Sequence, residues 1–131
     1  MKIGIVVSEF NAELTTQMLE YALKKCQELN LDAQTSKVAG AFDMPLAVKR
    51  LLKRKDIRGV ATLGAIIQGE TDHDIIIASS CATALTGLSL EFDKPVSLGI
   101  LGPRITWQQA KARMKDYAER AVESLLRIQK R

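Results

Sequence analysis

The stretch RGVATLGAIIQGETDHDIIIASSCATALTGLSLEFD, residues 58–93, decides how the chain is read. Its first ten residues, 58–67, are nearly all apolar, as a strand buried on both faces should be. The triple isoleucine at 75–77 invites a second strand. The length of 73–93 and its small-residue-rich continuation favour a helix instead, one that is largely buried. The unit is therefore strand, acidic loop, helix. Its loop holds His73, the chain's only histidine, and so the only side chain whose unperturbed charge change falls near neutrality.

The same alternation runs outward in both directions. KIGIVVS (2–8) is a short β-branched strand. TTQMLEYALKKCQELN (15–30) follows as a helix, with Met18, Ala22, Cys26 and Leu29 at helical spacing and Asn30 suited to a stop. AQTSKVAG (33–40) is a weaker strand. PLAVKRLLKRKD (45–56) is a helix with Pro45 in its first turn. KPVSLGIL (94–101) is the last strand. The closing helix, 106–130, aligns Trp107, Ala110, Met114, Tyr117, Ala121 and Leu125 along one stripe. Strands alternating with helices predict right-handed crossovers and a parallel sheet covered on both faces. The expected architecture is a three-layer α/β/α sandwich, flavodoxin-like, with a four-stranded parallel sheet and one domain over 1–131.

Composition limits the function classes. The 131 residues are 47% hydrophobic and 26% charged, which suits a packed globular chain and not a disordered one. No uninterrupted apolar run reaches the roughly 18 residues of a membrane span. The opening MKIGIVVSEF is too short and too quickly polar for a signal peptide. The expected location is the cytoplasm, with no membrane partner. The net charge of +4 gathers in KRLLKRKDIR (49–58), which reads as the solvated basic face of an amphipathic helix. Aromatic residues, at 5%, are too few for a nucleic-acid stacking platform, and no nucleic-acid partner is expected. Cys26 and Cys81 match no metal or redox spacing and read as small buried thiols.

In sheets of this kind ligands bind beyond the carboxyl ends of the strands. Those ends are SEFN (8–11), GAFDMP (40–45), GAIIQGETDH (64–73) and GILGPR (99–104). Phe10 is conspicuous, a large apolar ring between Glu9 and Asn11. It either staples the following helix or, together with Phe42, walls a pocket for a flat ligand.

The combination of SEFN, GAFDMP, LGAIIQGETDHD and DKPVSLGI, followed by QQAKAR, resembles the lumazine synthase family, and most closely its short archaeal-type members. The resemblance runs in order from residue 1 to about residue 128. It implies condensation of a ribitylaminopyrimidinedione with 3,4-dihydroxy-2-butanone 4-phosphate, with loss of phosphate and water and with neither metal nor organic cofactor. It implies that Phe10 stacks on the pyrimidine and that Asn11 lines the same wall. Ala41 and Phe42 would offer backbone to the ribityl chain, and Asp43 would accept its hydroxyls. Backbone groups of Ala65, Ile66 and Ile67 would read the pyrimidine edge. Glu70 and Thr71 would hold phosphate through backbone N–H groups, and Leu98 of DKPVSLGI would join the binding set. His73 would move protons, tuned by Asp72 and Asp74, and Arg113 would grip the phosphate. The resemblance further implies a homopentamer, in some members assembled into a hollow sixty-subunit capsid.

The physical chemistry of these residue types agrees. Gly69 allows close backbone approach to an anion, and the N–H groups opening the next helix form a phosphate seat. Arginine presents a planar donor fork to phosphate. Imine formation and phosphate loss require proton transfers near neutral pH, which imidazole handles well. The chain departs from the family pattern at SSCATAL (79–85). There Ser80 and Thr83 replace a polar segment containing asparagine and arginine. It also departs at Arg104, where the related short members carry a small residue. The archaeal-type riboflavin synthases share the fold, but they lack the histidine-bearing GETDHD loop. A receiver domain would need a phospho-accepting aspartate where Gly64 stands, and a flavodoxin would need a phosphate loop where SEFNAE stands. A shell-forming homologue without activity is the remaining alternative.

Overall fold

The computed structural model describes residues 1–129. Four parallel strands form one sheet in the order β2-β1-β3-β4. In chain order, β1 (Lys2–Ser8) leads to α1 (Ala12–Glu28), β2 (Asp32–Val38) and a single 3₁₀ turn over Ala41–Asp43. Then come α2 (Met44–Leu52), β3 (Ile57–Ile67), α3 (His73–Phe92), β4 (Val96–Ile105) and α4 (Trp107–Gln129). The expected alternation and three-layer arrangement are both present.

The layers follow from side-chain alternation along the central strands. Ile3, Ile5 and Val7 of β1, with Ala61, Leu63 and Ala65 of β3, pack under α1 and α4. Val6 and Val60, with Ile100 of β4, point the other way into α2 and α3. β1 and β3 are the inner strands, so they are apolar on both faces. β2, at the sheet edge, alternates between exposed and half-buried residues, and this is why it reads weakly in sequence. At Gly99 the strand has no room for a side chain, since a Cβ would lie 2.5 Å from the Thr62 carbonyl oxygen and 2.9 Å from the Ala121 Cβ. Fully burying an aliphatic side chain contributes about 1.5–3 kcal/mol, so the two clusters dominate stability.

Three boundaries differ from the sequence expectation by three residues or more, each for a physical reason. α1 begins at Ala12, not at residue 15, because Asn11 takes a left-handed φ of 61° and its carbonyl accepts from the N–H groups of Leu14 and Thr15. α2 ends at Leu52, not at residue 56. There Lys94 Nζ caps its last turn by donating to the Leu52 and Arg54 carbonyls at 2.8 and 2.9 Å. β4 continues through GPRI to Ile105 and does not end at residue 101 as expected. The strand survives Gly102-Pro103-Arg104 by bulging: Ala65 pairs with Leu101 and Ile67 with Ile105, leaving the three residues opposite Ile66. Gly102, at φ 110°, is required there, because a Cβ would come within 2.4 Å of the Ile66 carbonyl. Lys130, the last residue of the expected closing helix, lies outside the described residues.

The fourth difference concerns α3. The sequence suggests a largely buried helix, but only Asp74, Cys81 and Leu85 are buried. Ile76 and Leu90 are 63% and 79% exposed. Averaged over 18 residues this helix has a mean hydropathy of 1.5, long and apolar enough by composition to cross a membrane, although its apolar residues form no unbroken run of that length. Its inner edge packs on the sheet and α2 as the outer layer of the sandwich. An apolar helix with one bare face is what a subunit contact requires.

Candidate active site

The sheet's connections reverse direction between β1 and β3: the chain leaves β1 for β2 on one side and returns to β3 on the other. Beyond such a switch point the flanking loops diverge and leave a crevice. A cavity of about 440 Å³, open to solvent, lies there. That volume suits a ligand of one or two rings.

Each wall has a local cause. After β1, the Glu9 and Phe10 N–H groups continue the ladder to the Val38 and Ala39 carbonyls at 2.8 and 3.0 Å. Asn11 then turns left-handed, and its Nδ2 donates to the Ala65 carbonyl at 2.9 Å across the sheet end. Backbone fixed on both sides presents the Phe10 ring to the cavity with 73% of the residue exposed. This excludes the staple reading, in which the ring would be covered by α1. Phe42, on the 3₁₀ turn, is 65% exposed and lines the same space. Ala41 and Asp43 share that turn, and Asp43 Oδ2 accepts the Gly40 N–H at 3.1 Å, which braces the turn and leaves the other carboxylate oxygen available.

Ala65, Ile66 and Ile67 form the floor, and His73 with Ile77 closes the side formed by α3. The bulge in β4 matters to that floor. With no residue of β4 paired directly to Ile66, the end of β3 is free of one regular ladder position beside the cavity. The His73 N–H donates to Thr71 Oγ1 at 3.3 Å, and the Asp72 carbonyl accepts from Ile75 and Ile76, both at 3.1 Å, to start the helix. The imidazole is therefore set at the first position of α3, lining with two aromatic rings a largely apolar crevice. Such a site can stack a planar heterocycle, read its edge with backbone groups and exchange protons with it.

Of the thirteen residues singled out in sequence, nine line this cavity: Phe10 and Asn11; Ala41, Phe42 and Asp43; Ala65, Ile66 and Ile67; and His73. Four do not. Glu70 and Thr71 are exposed in the loop before α3. A Cβ at Gly69 would meet nothing within 4 Å, so the fold leaves open space beside that loop. Leu98, 54% exposed, lines a separate groove of about 240 Å³ with Tyr117, Arg120 and Arg127. Arg113 is exposed on α4 and outside the cavity. The two aspartates flanking His73 also divide. Asp72 is exposed, while Asp74 turns inward, is 6% exposed and accepts the Arg104 N–H at 2.9 Å. Successive helix residues do not face one another, so Asp74 serves the protein interior and not the imidazole. Sequence reading overlooked Ile77 and the Ala39-Gly40 rim. No motif marks Ala39 or Ile77, Gly40 reads only as the start of GAFDMP, and only the α3 register brings Ile77 in. Among the described residues no group of His, Cys, Asp and Glu could hold a metal ion.

The matches with known proteins agree with this geometry. The family model described as 6,7-dimethyl-8-ribityllumazine synthase matches residues 1–131. The chain belongs to the lumazine synthase family. The 6,7-dimethyl-8-ribityllumazine synthase of Metallosphaera sedula is 51% identical over 132 residues, covering 100% of this chain and 87% of its own length. Those of Saccharolobus solfataricus and Sulfolobus acidocaldarius are each 48% identical, covering 100% of this chain and 86% and 84% of their own. In this lumazine synthase fold the switch-point crevice is where the family's motifs SEFN, GAFDMP and LGAIIQGETDHD converge.

Proposed function

We propose that the protein is a transferase of riboflavin biosynthesis. It condenses 5-amino-6-ribitylaminopyrimidinedione with 3,4-dihydroxy-2-butanone 4-phosphate to 6,7-dimethyl-8-ribityllumazine, releasing phosphate and water. The observation that carries the reading is the convergence of Phe10, Phe42, the Ala65–Ile67 floor and His73 on one cavity, in a chain whose whole length matches the family. The pyrimidine stacks on Phe10, its edge meets the end of β3, and the ribityl chain runs toward Asp43. The amine of the pyrimidine attacks the ketone carbon, and loss of water gives an imine. Elimination then expels phosphate, and closure of the second ring loses water again. His73 takes and returns protons during these steps. No metal or organic cofactor enters the scheme.

A single subunit leaves Leu98 and Arg113 outside the cavity. The reading therefore includes a homopentamer in which a neighbour supplies both, with Arg113 gripping the phosphate opposite the backbone N–H groups of Glu70 and Thr71. The bare apolar face of α3 supports an assembly of this kind. The chain is one domain over 1–131, working in the cytoplasm. The test is to supply both substrates and follow lumazine absorbance together with released phosphate. One phosphate per lumazine, well above the uncatalysed rate, is expected. A protein that leaves the substrates unreacted but converts added lumazine to riboflavin would overturn the reading.

A further inference from the structure

We infer that Arg104 supplies a cation to the phosphate-bearing substrate from within the same subunit, and that Asp74 is the residue that positions it. The inference rests on the function proposed above and adds a contact to it.

Arg104 has a φ of 56°, in the left-handed region. Residues with a Cβ enter that region at a cost, and such outliers persist where surrounding structure enforces them, often at functional sites. The enforcing contact is visible. The Arg104 N–H donates to Asp74 Oδ2 at 2.9 Å, and Asp74 is 6% exposed. A carboxylate withdrawn from water must be repaid by hydrogen bonds, and this one is given to a backbone group thirty residues away in the chain. Asp74 is the second residue of α3, directly after His73. The bond therefore holds the bulged end of β4 against the first turn of the helix that carries the imidazole. That turn has N–H groups short of acceptors and favours an anion.

The side chain of Arg104 is not needed for any of this. Glycine or asparagine would take the same φ more readily, and the guanidinium makes no ion pair among the described residues. The Arg104 backbone is held beside the first turn of α3, and an exposed guanidinium carried from that point offers a donor fork to phosphate oxygens. It also gives each subunit a cation of its own at that end of the site, in addition to the one on α4.

The test uses the full chain, with inorganic phosphate as the probe in calorimetry and both substrates in steady-state kinetics. Arg104→Asn keeps the left-handed backbone and removes the charge. It should weaken phosphate binding and raise the KM for the butanone phosphate about tenfold, the size of one charge-assisted hydrogen bond, with the pyrimidine KM unchanged. Arg104→Lys, which keeps charge without the fork, should lose only about threefold. Asp74→Asn retains an acceptor for the Arg104 N–H and should bind phosphate like the parent, whereas Asp74→Ala should resemble Arg104→Asn. Equal phosphate binding by the parent and Arg104→Asn would overturn the inference, as would full recovery by asparagine where lysine fails. A parent that binds phosphate through Arg104 yet forms no lumazine would overturn the proposed reaction and leave this contact standing.

Discussion

Phe10 and His73 show how far single residues carry the account. With 73% of Phe10 exposed, its ring contributes little to the core. Phe10→Ala should leave the melting temperature almost unchanged while raising the pyrimidine KM roughly 2- to 12-fold, corresponding to about 0.5–1.5 kcal/mol of stacking. Thermal melts and pyrimidine titrations on the same preparation check both halves. His73→Ala should fold normally and bind the pyrimidine. Its turnover should fall about 100-fold, the lower end of the range for general acid–base catalysis, because an amine meeting an activated ketone already reacts on its own. The pH–rate profile should flatten as well, since the chain has no second histidine to carry the protons. A pH–rate profile comparing the two proteins reads this directly.

At the scale of elements, the two thiols report on helix packing. Cys26 on α1 and Cys81 on α3 are buried, and desolvation pushes each thiol up from 9.0 to about 11. The thiols of the unfolded chain ionise first as pH rises. The stability gained by keeping them neutral is therefore complete below pH 9.0 and is lost progressively toward pH 11. Denaturant midpoints should fall between pH 8 and pH 10.5, and fall less in a Cys26→Ala, Cys81→Ala variant. The elements themselves were mostly legible in sequence, because inner strands and amphipathic helices have distinct periods. Two features were not. Gly102-Pro103 reads as a strand stop, and only the bulge opposite Ile66 lets β4 run on to Ile105. The composition of α3 is the same whether its apolar face meets a core or another subunit, so its exposure could not be read from periodicity. Nine of the thirteen candidate site residues meet because they sit at the carboxyl ends of β1 and β3 and at the starts of α2 and α3, a place that topology fixes. Leu98 and Arg113 lie on other surfaces, and no pattern within one chain could join them to the cavity.

For the whole molecule, the exposed apolar face of α3 and the proposed completion of the site by a neighbour call for the same assembly. Leu90, 79% exposed, touches too little of its own subunit to matter for folding. Leu90→Asp should keep the circular dichroism spectrum of the parent and shift its mass in solution from the proposed pentamer toward monomer, with activity lost in parallel. Light scattering that shows an unchanged pentamer would remove α3 from the contact.

The most direct test of the account is subunit mixing, because it requires both the cavity and its completion by a neighbour. Phe42→Ala combined with His73→Ala disables the cavity side of the site, and Arg113→Ala disables the side that a neighbour is proposed to supply. Each variant alone should form lumazine slowly. Unfolded together and refolded as mixed pentamers, they should regain a substantial part of the parental rate, because some boundaries then pair an intact cavity with an intact Arg113. A mixture no more active than the average of the two separate variants would contradict the account: the site would then lie within one subunit.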